Sequence, residues 1–165
     1  MENDLTKGKD ALANIPAGLQ FLGDYSAAQL MECNGTTGVF GLVLSPADVQ
    51  FLAETRADAL GRMGRVEFGE CATRKIILEF CDSPYLSQDT FAETVGELAQ
   101  LFYYFKSELE WMADSDLIAR MKAYFDTECR GSTEDLAGAL ENMTHCLKYG
   151  DFSCGADAPE EDEYE

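Results

Sequence analysis

The chain has 165 residues, enough for one domain that buries a single core without disulfides or metal. Its 46% hydrophobic share is ordinary for a globular protein, but 31 acids against 12 bases leave a formal charge of -19. Such a field works against direct contact with DNA or RNA phosphates and against an anionic membrane surface; it suits a basic protein partner, or a protein that imitates nucleic acid.

Residues 1–20 show no sustained periodicity and are expected to be poorly ordered. The opening MENDLTKGKD carries acids where a secretory signal would carry bases. A helical domain is expected over 21–150, beginning with a short helix around YSAAQLMEC. The run GVFGLVL reads as a short strand, with RVEFG as its partner, so residues 39–44 and 65–68 could form a two-stranded ribbon. The longest uncharged run, CNGTTGVFGLVLSPA, is too short and too rich in Gly, Thr and Pro to cross a bilayer.

From Ser45 onward the apolar spacing is helical. Ser45 offers a cap, Pro46 fills the first helical position, and Asp48 faces the positive end of the dipole. Val49, Leu52, Leu60 and Met63 share a face, and Gly64 supplies a stop. A second helix is expected from Glu70 to Cys81, burying Ile76, Ile77 and Phe80 and closed by Pro84. Thr90 and Glu93 fit a capping box, with Ser87 or Asp89 as the alternative cap.

The longest stripe follows: Phe91, Val95, Leu98, Phe102, Phe105, Leu109 and Met112, widened by Leu101, Tyr104 and Trp111 toward burial in a bundle. Asp114 or Ser115 opens the next helix, which carries Leu117, Ile118, Met121 and Phe125 and is broken by Gly131. Ser132 caps a last helix with Leu136, Leu140, Met143 and Leu147, which Gly150 ends. Seven of the 31 carboxylates fall in DFSCGADAPEEDEYE, residues 151–165, a composition that predicts a disordered acidic tail. The whole therefore reads as all-α: a single-domain bundle of five or six helices beside the small ribbon.

The segments GRVEFG, FCDSPYLSQDTFAETVGELAQLFYYFKSE and LIARMKAYFDTECRGS resemble an uncharacterised family of small helical proteins from anaerobic Firmicutes. The likeness runs from about Tyr25 to Gly150, and the DSPY turn leading into the LFYYFK helix is its most specific part. The resemblance implies a cytoplasmic bacterial protein with a domain of unknown function. It brings no activity, cofactor or catalytic residue.

Cys33, Cys71, Cys81, Cys129, Cys146 and Cys154 include no C-x-x-C, which leaves free core-packed thiols in a reducing cytoplasm as the simplest reading. His145, the single histidine, neighbours Cys146, but adjacent helical residues diverge by about 100 degrees and form no nucleophile–base pair. GTTGVFG lacks the Lys-Ser/Thr of a phosphate loop. For a hard cation, Glu67, Glu70, Glu79 and Asp82 are the carboxylates to watch, although surface pairing explains them equally well.

One local anomaly is left. Arg56, Arg62, Arg65, Arg74 and Lys75 gather against only Asp58, Glu67 and Glu70. Such a cluster either pairs with the chain's own acids or receives a partner's carboxylates. The leading expectation is a non-enzymatic cytoplasmic interaction module, with no cofactor, binding another protein through Arg62, Arg65, Glu67, Tyr85 and Tyr103 as exposed anchors. Its rivals are a metal- or small-molecule-binding protein with a carboxylate-rich pocket, and an acidic mimic that blocks a nucleic-acid-binding protein.

Overall fold

A computed structural model of the chain describes residues 26–67 and 70–150; the expectations for 1–20 and for the tail 151–165 lie outside them. Residues 26–32 are helical and turn at Cys33 into the short α1 (Asn34–Thr37) and a 3-10 turn (Gly38–Phe40). Five longer helices follow: α2 (Pro46–Arg62), α3 (Ala72–Phe80), α4 (Phe91–Glu108), α5 (Asp114–Asp126) and α6 (Thr133–Tyr149). The all-α bundle read from periodicity is the observed fold.

The ribbon is not. Among the described residues there is no strand, and the reason lies in side-chain amides. Asn34 brackets Leu44, accepting from its N–H at 2.7 Å and donating to its carbonyl at 2.9 Å. Gln88 brackets Val43 in the same manner, at 2.7 and 2.8 Å. Leu42 donates to the Thr37 carbonyl and accepts from the Thr37 hydroxyl. Every backbone polar group of residues 42–44 is thus satisfied, so no partner strand is required.

Helix ends follow local chemistry. Ser45 and Asp48 close a reciprocal capping box, and Ser132 accepts from the Asp135 N–H. Gly64, at φ 61°, lets the Arg65 N–H reach the Leu60 carbonyl at 3.0 Å and close α2. The Thr90–Glu93 box is not formed: a 3-10 turn (Gln88–Thr90) precedes α4, and the Thr90 hydroxyl meets Ser87 at 3.0 Å. The long apolar stripe outruns its helix. α4 stops at Glu108, yet Leu109 and Met112 stay buried in the turn that follows, where Lys106 donates to the Met112 carbonyl.

Contacts along the helices set their directions. Phe51 of α2 lies over Gly96 of α4, where an added Cβ would come within 3.0 Å of its ring. Thr133 of α6 meets Glu97, and Lys148 meets Glu108, so α4 and α6 run the same way. Lys75 with Asp114 and Asp82 with Lys122 align α3 with α5. Helices α2, α4 and α6 therefore descend while α3 and α5 return, in an up-and-down order. At its centre, α4 touches α2, α3, α5 and α6. Its buried side chains from Leu98 onward, with Phe80, Met121, Phe125 and Leu140, belong to the larger core cluster. Leu30, Leu42, Leu44, Leu52, Ile77 and Phe91 belong to a second one at the start of α4.

Candidate functional site

Arg56 stands on the buried stripe of α2, four residues after Leu52 and three before Ala59, and is only 9% exposed. Its Nε donates to Glu67 Oε1 at 2.8 Å, and its Nη1 donates to Ser26 Oγ at 2.8 Å. Glu67 Oε1 also accepts from the Ala72 N–H at 3.2 Å, at the start of α3. The Tyr103 hydroxyl of α4 donates to Glu67 Oε2 at 2.9 Å. Beside this group, the Cys71 N–H donates to Gln29 Oε1 at 2.8 Å. One carboxylate in the α2–α3 loop therefore holds three helices together. A charge taken out of water survives only when its lone pairs are filled in this way.

The same desolvation acts on the neighbouring acids. Burial, then the Glu67 charge, pushes the Tyr103 phenol well above its ordinary range, and burial and Glu67 push the Cys71 thiol in the same direction. Cys33, whose Sγ donates to the Gln29 carbonyl, is pushed up by burial to about 11. Cys33, Cys71, Cys81 and Cys129 are free and buried, and burial raises all four, away from the nucleophilic thiolate. Cys146 departs from the expectation of free thiols: it is disulfide-bonded. His145 is exposed and packs on Tyr149, ring centres 4.8 Å apart.

The five expected anchors separate into three groups. Tyr103 is 3% exposed and Glu67 half-buried, so these two are joined, but as the support beneath a loop and not as exposed anchors. Tyr103 leaves the apolar seam of α4 without leaving the interior, because α4 is packed on several sides. Arg62 is exposed at the end of α2, where its Nε donates to the Asp58 carbonyl at 3.5 Å, and Arg65 is half-buried just past it; neither makes an ion pair with a described residue. Arg65 springs from a backbone fixed by its bond to Leu60 and, two residues on, by Glu67. Tyr85 lies elsewhere, in the loop entering α4, edge-on to Phe125 at 6.3 Å. Twelve residues of α4 separate Tyr103 from Phe91, about 18 Å of helix, so Tyr85 occupies the other end of the bundle.

The other bases of the cluster are spoken for: Arg56 by Glu67, Arg74 by Glu70, Lys75 by Asp114. The four watched carboxylates do not converge. Glu67 faces Arg56, Glu70 faces Arg74, Asp82 faces Lys122 at 2.9 Å, and Glu79 is exposed. Among the described residues no group of three or more His, Cys, Asp or Glu is placed to hold a metal ion. Tyr104 and Trp111, expected to widen the buried face, are instead 50% and 69% exposed. Each lines an open groove, one of about 430 Å³ between α4 and α6 and one of about 550 Å³ along α5.

Sequence reasoning counted Arg56 in the basic cluster without placing it in the interior, and it missed Ser26 and Gln29. For Arg56 a signal existed: a cation set squarely in an apolar stripe, where it must be paired. Nothing in the spacing of Ser26 or Gln29 marks them.

These features define a helical bundle whose polar interior stiffens an arginine-bearing loop. The chain belongs to DUF6323, a family of unknown function, whose sequence model matches residues 29–152. No curated protein and no solved structure matches it. No helix among the described residues is long and apolar enough to cross a membrane.

Proposed function

We propose that the chain is a non-enzymatic module that binds another protein in the cytoplasm of a bacterium, with Arg62 and Arg65 as its point of engagement. The observation that carries this reading is that neither makes an ion pair with any described residue. On a chain with 31 acids, Arg56, Arg74, Lys75, Lys106, Lys122 and Lys148 each pair with a carboxylate, whereas Arg62 and Arg65, like Arg120 and Arg130 elsewhere, pair with no described residue; these two are set apart by lying three positions from each other at the end of α2. The surrounding negative field draws a partner with an excess of positive charge. The two guanidinium groups then fix register by taking carboxylates on that partner in bidentate fashion. The bacterial, anaerobic-Firmicutes origin rests on the resemblance of the DSPY and LFYYFK segments.

The test is affinity capture from a native extract of the source cell, read by mass spectrometry. The unaltered chain retains one stoichiometric protein, and the double variant Arg62→Glu, Arg65→Glu loses it. Its stability changes by no more than about 0.5 kcal/mol, as expected where no ion pair with a described residue is lost. Retention by the double variant would discard this face.

A further inference from the structure

The outward side of α5 has no role in the reading above. Ala119, Arg120 and Ala123 are exposed on it with Asp116, opposite the buried Leu117, Ile118, Met121 and Phe125. Trp111, Met112 and Ala113 wall one end of the groove that runs along this side. Two small side chains in its middle let another backbone come close. Trp111 supplies the large, rigid apolar contact that interface centres favour.

The charges on this side have an unusual disposition. Asp116 and Arg120 lie one turn apart, a spacing at which acid and base commonly pair on a helix. Here they do not, and neither makes an ion pair with any other described residue. An acid and a base placed symmetrically about residue 118 complement an identical surface turned through a half rotation. Antiparallel crossing of two such helices brings each Asp116 to the other copy's Arg120. Each Ala113 likewise meets the other copy's Ala123. An interface with a two-fold axis must be self-complementary in this sense.

We propose that α5 is a self-association surface, on which two copies of this chain pair antiparallel about a two-fold axis that crosses the outward face of the helix between Asp116 and Arg120. The Asp116–Arg120 contacts form twice, and Trp111 of each copy closes the flank of the groove. This surface is separate from Arg62 and Arg65, so the two readings stand or fall apart.

The experiment is sedimentation of the full chain from about 1 to 100 µM, a range that spans ordinary dimer affinities. The unaltered chain sediments as a dimer in that range. Asp116→Arg alone and Arg120→Asp alone each set like charges face to face, and each sediments as a monomer. An equimolar mixture of the two variants restores both contacts and returns to a dimer, as does the chain carrying both changes. Far-ultraviolet circular dichroism confirms that the variants keep their helices. A wild-type chain that stays monomeric throughout overturns the proposal. So does a dimer indifferent to the single changes, or a mixture that fails to re-form it.

Discussion

At the scale of single residues, Glu67 is the group on which most depends. It sits in a loop, yet its oxygens accept hydrogen bonds from α2, from the first turn of α3 and from α4. Glu67→Ala would leave the Arg56 guanidinium buried without its counter-charge, a change that costs about 3 kcal/mol. Tyr103→Phe removes one bond to a carboxylate and should cost about 1.5 kcal/mol. Because both act on one network, the double variant should lose less than the sum of the two, by denaturant titration. Additive losses would show that the hydroxyl and the carboxylate do not work together. Glu67→Ala should also weaken partner capture although Arg65 itself is untouched, since its loop loses an anchor. The role of Glu67 was half legible in the sequence. Its place between clustered bases marked it for an ion pair, but which base it takes depends on a helix face that also carries Leu52 and Ala59.

At the scale of elements, what could be read in advance is what depends on a few neighbouring residues. The caps at Ser45 and Ser132 and the stops at Gly64 and Gly150 each involve groups within five positions. The ribbon failed as an expectation because 42–44 is completed by amides ten and 45 positions away, which no strand pattern records. Gly131 shows a third case. Its φ of 84° is a left-handed conformation, and an added Cβ would lie 2.5 Å from the Tyr85 Cβ. Gly131→Ala should therefore destabilise the fold by about 2 kcal/mol or more, measured by thermal melting. The nearest obstruction is the Tyr85 Cβ, with Cγ and Cδ1 of its ring at 2.9 and 3.1 Å, so a simultaneous Tyr85→Ala change brings partial recovery at most. Full recovery in that double variant would mean that the ring, not the backbone path, sets the packing there.

At the scale of the whole molecule, the five long helices could be counted from apolar spacing, whereas their mutual order could not. Periodicity shows that a face is buried and is silent about its neighbour, so Arg62 and Tyr85 read as one surface although they occupy opposite ends of the bundle. The buried acids give the fold its response to base. The Cys33 thiol ionises near its ordinary 9.0 in the unfolded chain but near 11 when folded. Above pH 9 the unfolded chain releases a proton that the folded chain keeps. The contribution is complete below pH 9 and is lost as pH rises toward 11, on the order of 2 kcal/mol. Cys71 and Tyr103 shift in the same direction. Thermal midpoints should fall steeply above pH 9, and Cys33→Ala should make that fall shallower; an unchanged slope would assign the alkaline loss to other groups.

The uncharged run VFGLVL, residues 39–44, has the composition from which stacked fibrils grow when its edges are bare. In the folded chain, Thr37, Asn34 and Gln88 occupy the hydrogen-bonding edges of 42–44, so that stretch offers no template to a passing molecule. Precipitation of this protein on storage should therefore track the fraction of unfolded chains, rising with destabilising solvent and little affected by how crowded the native molecules are.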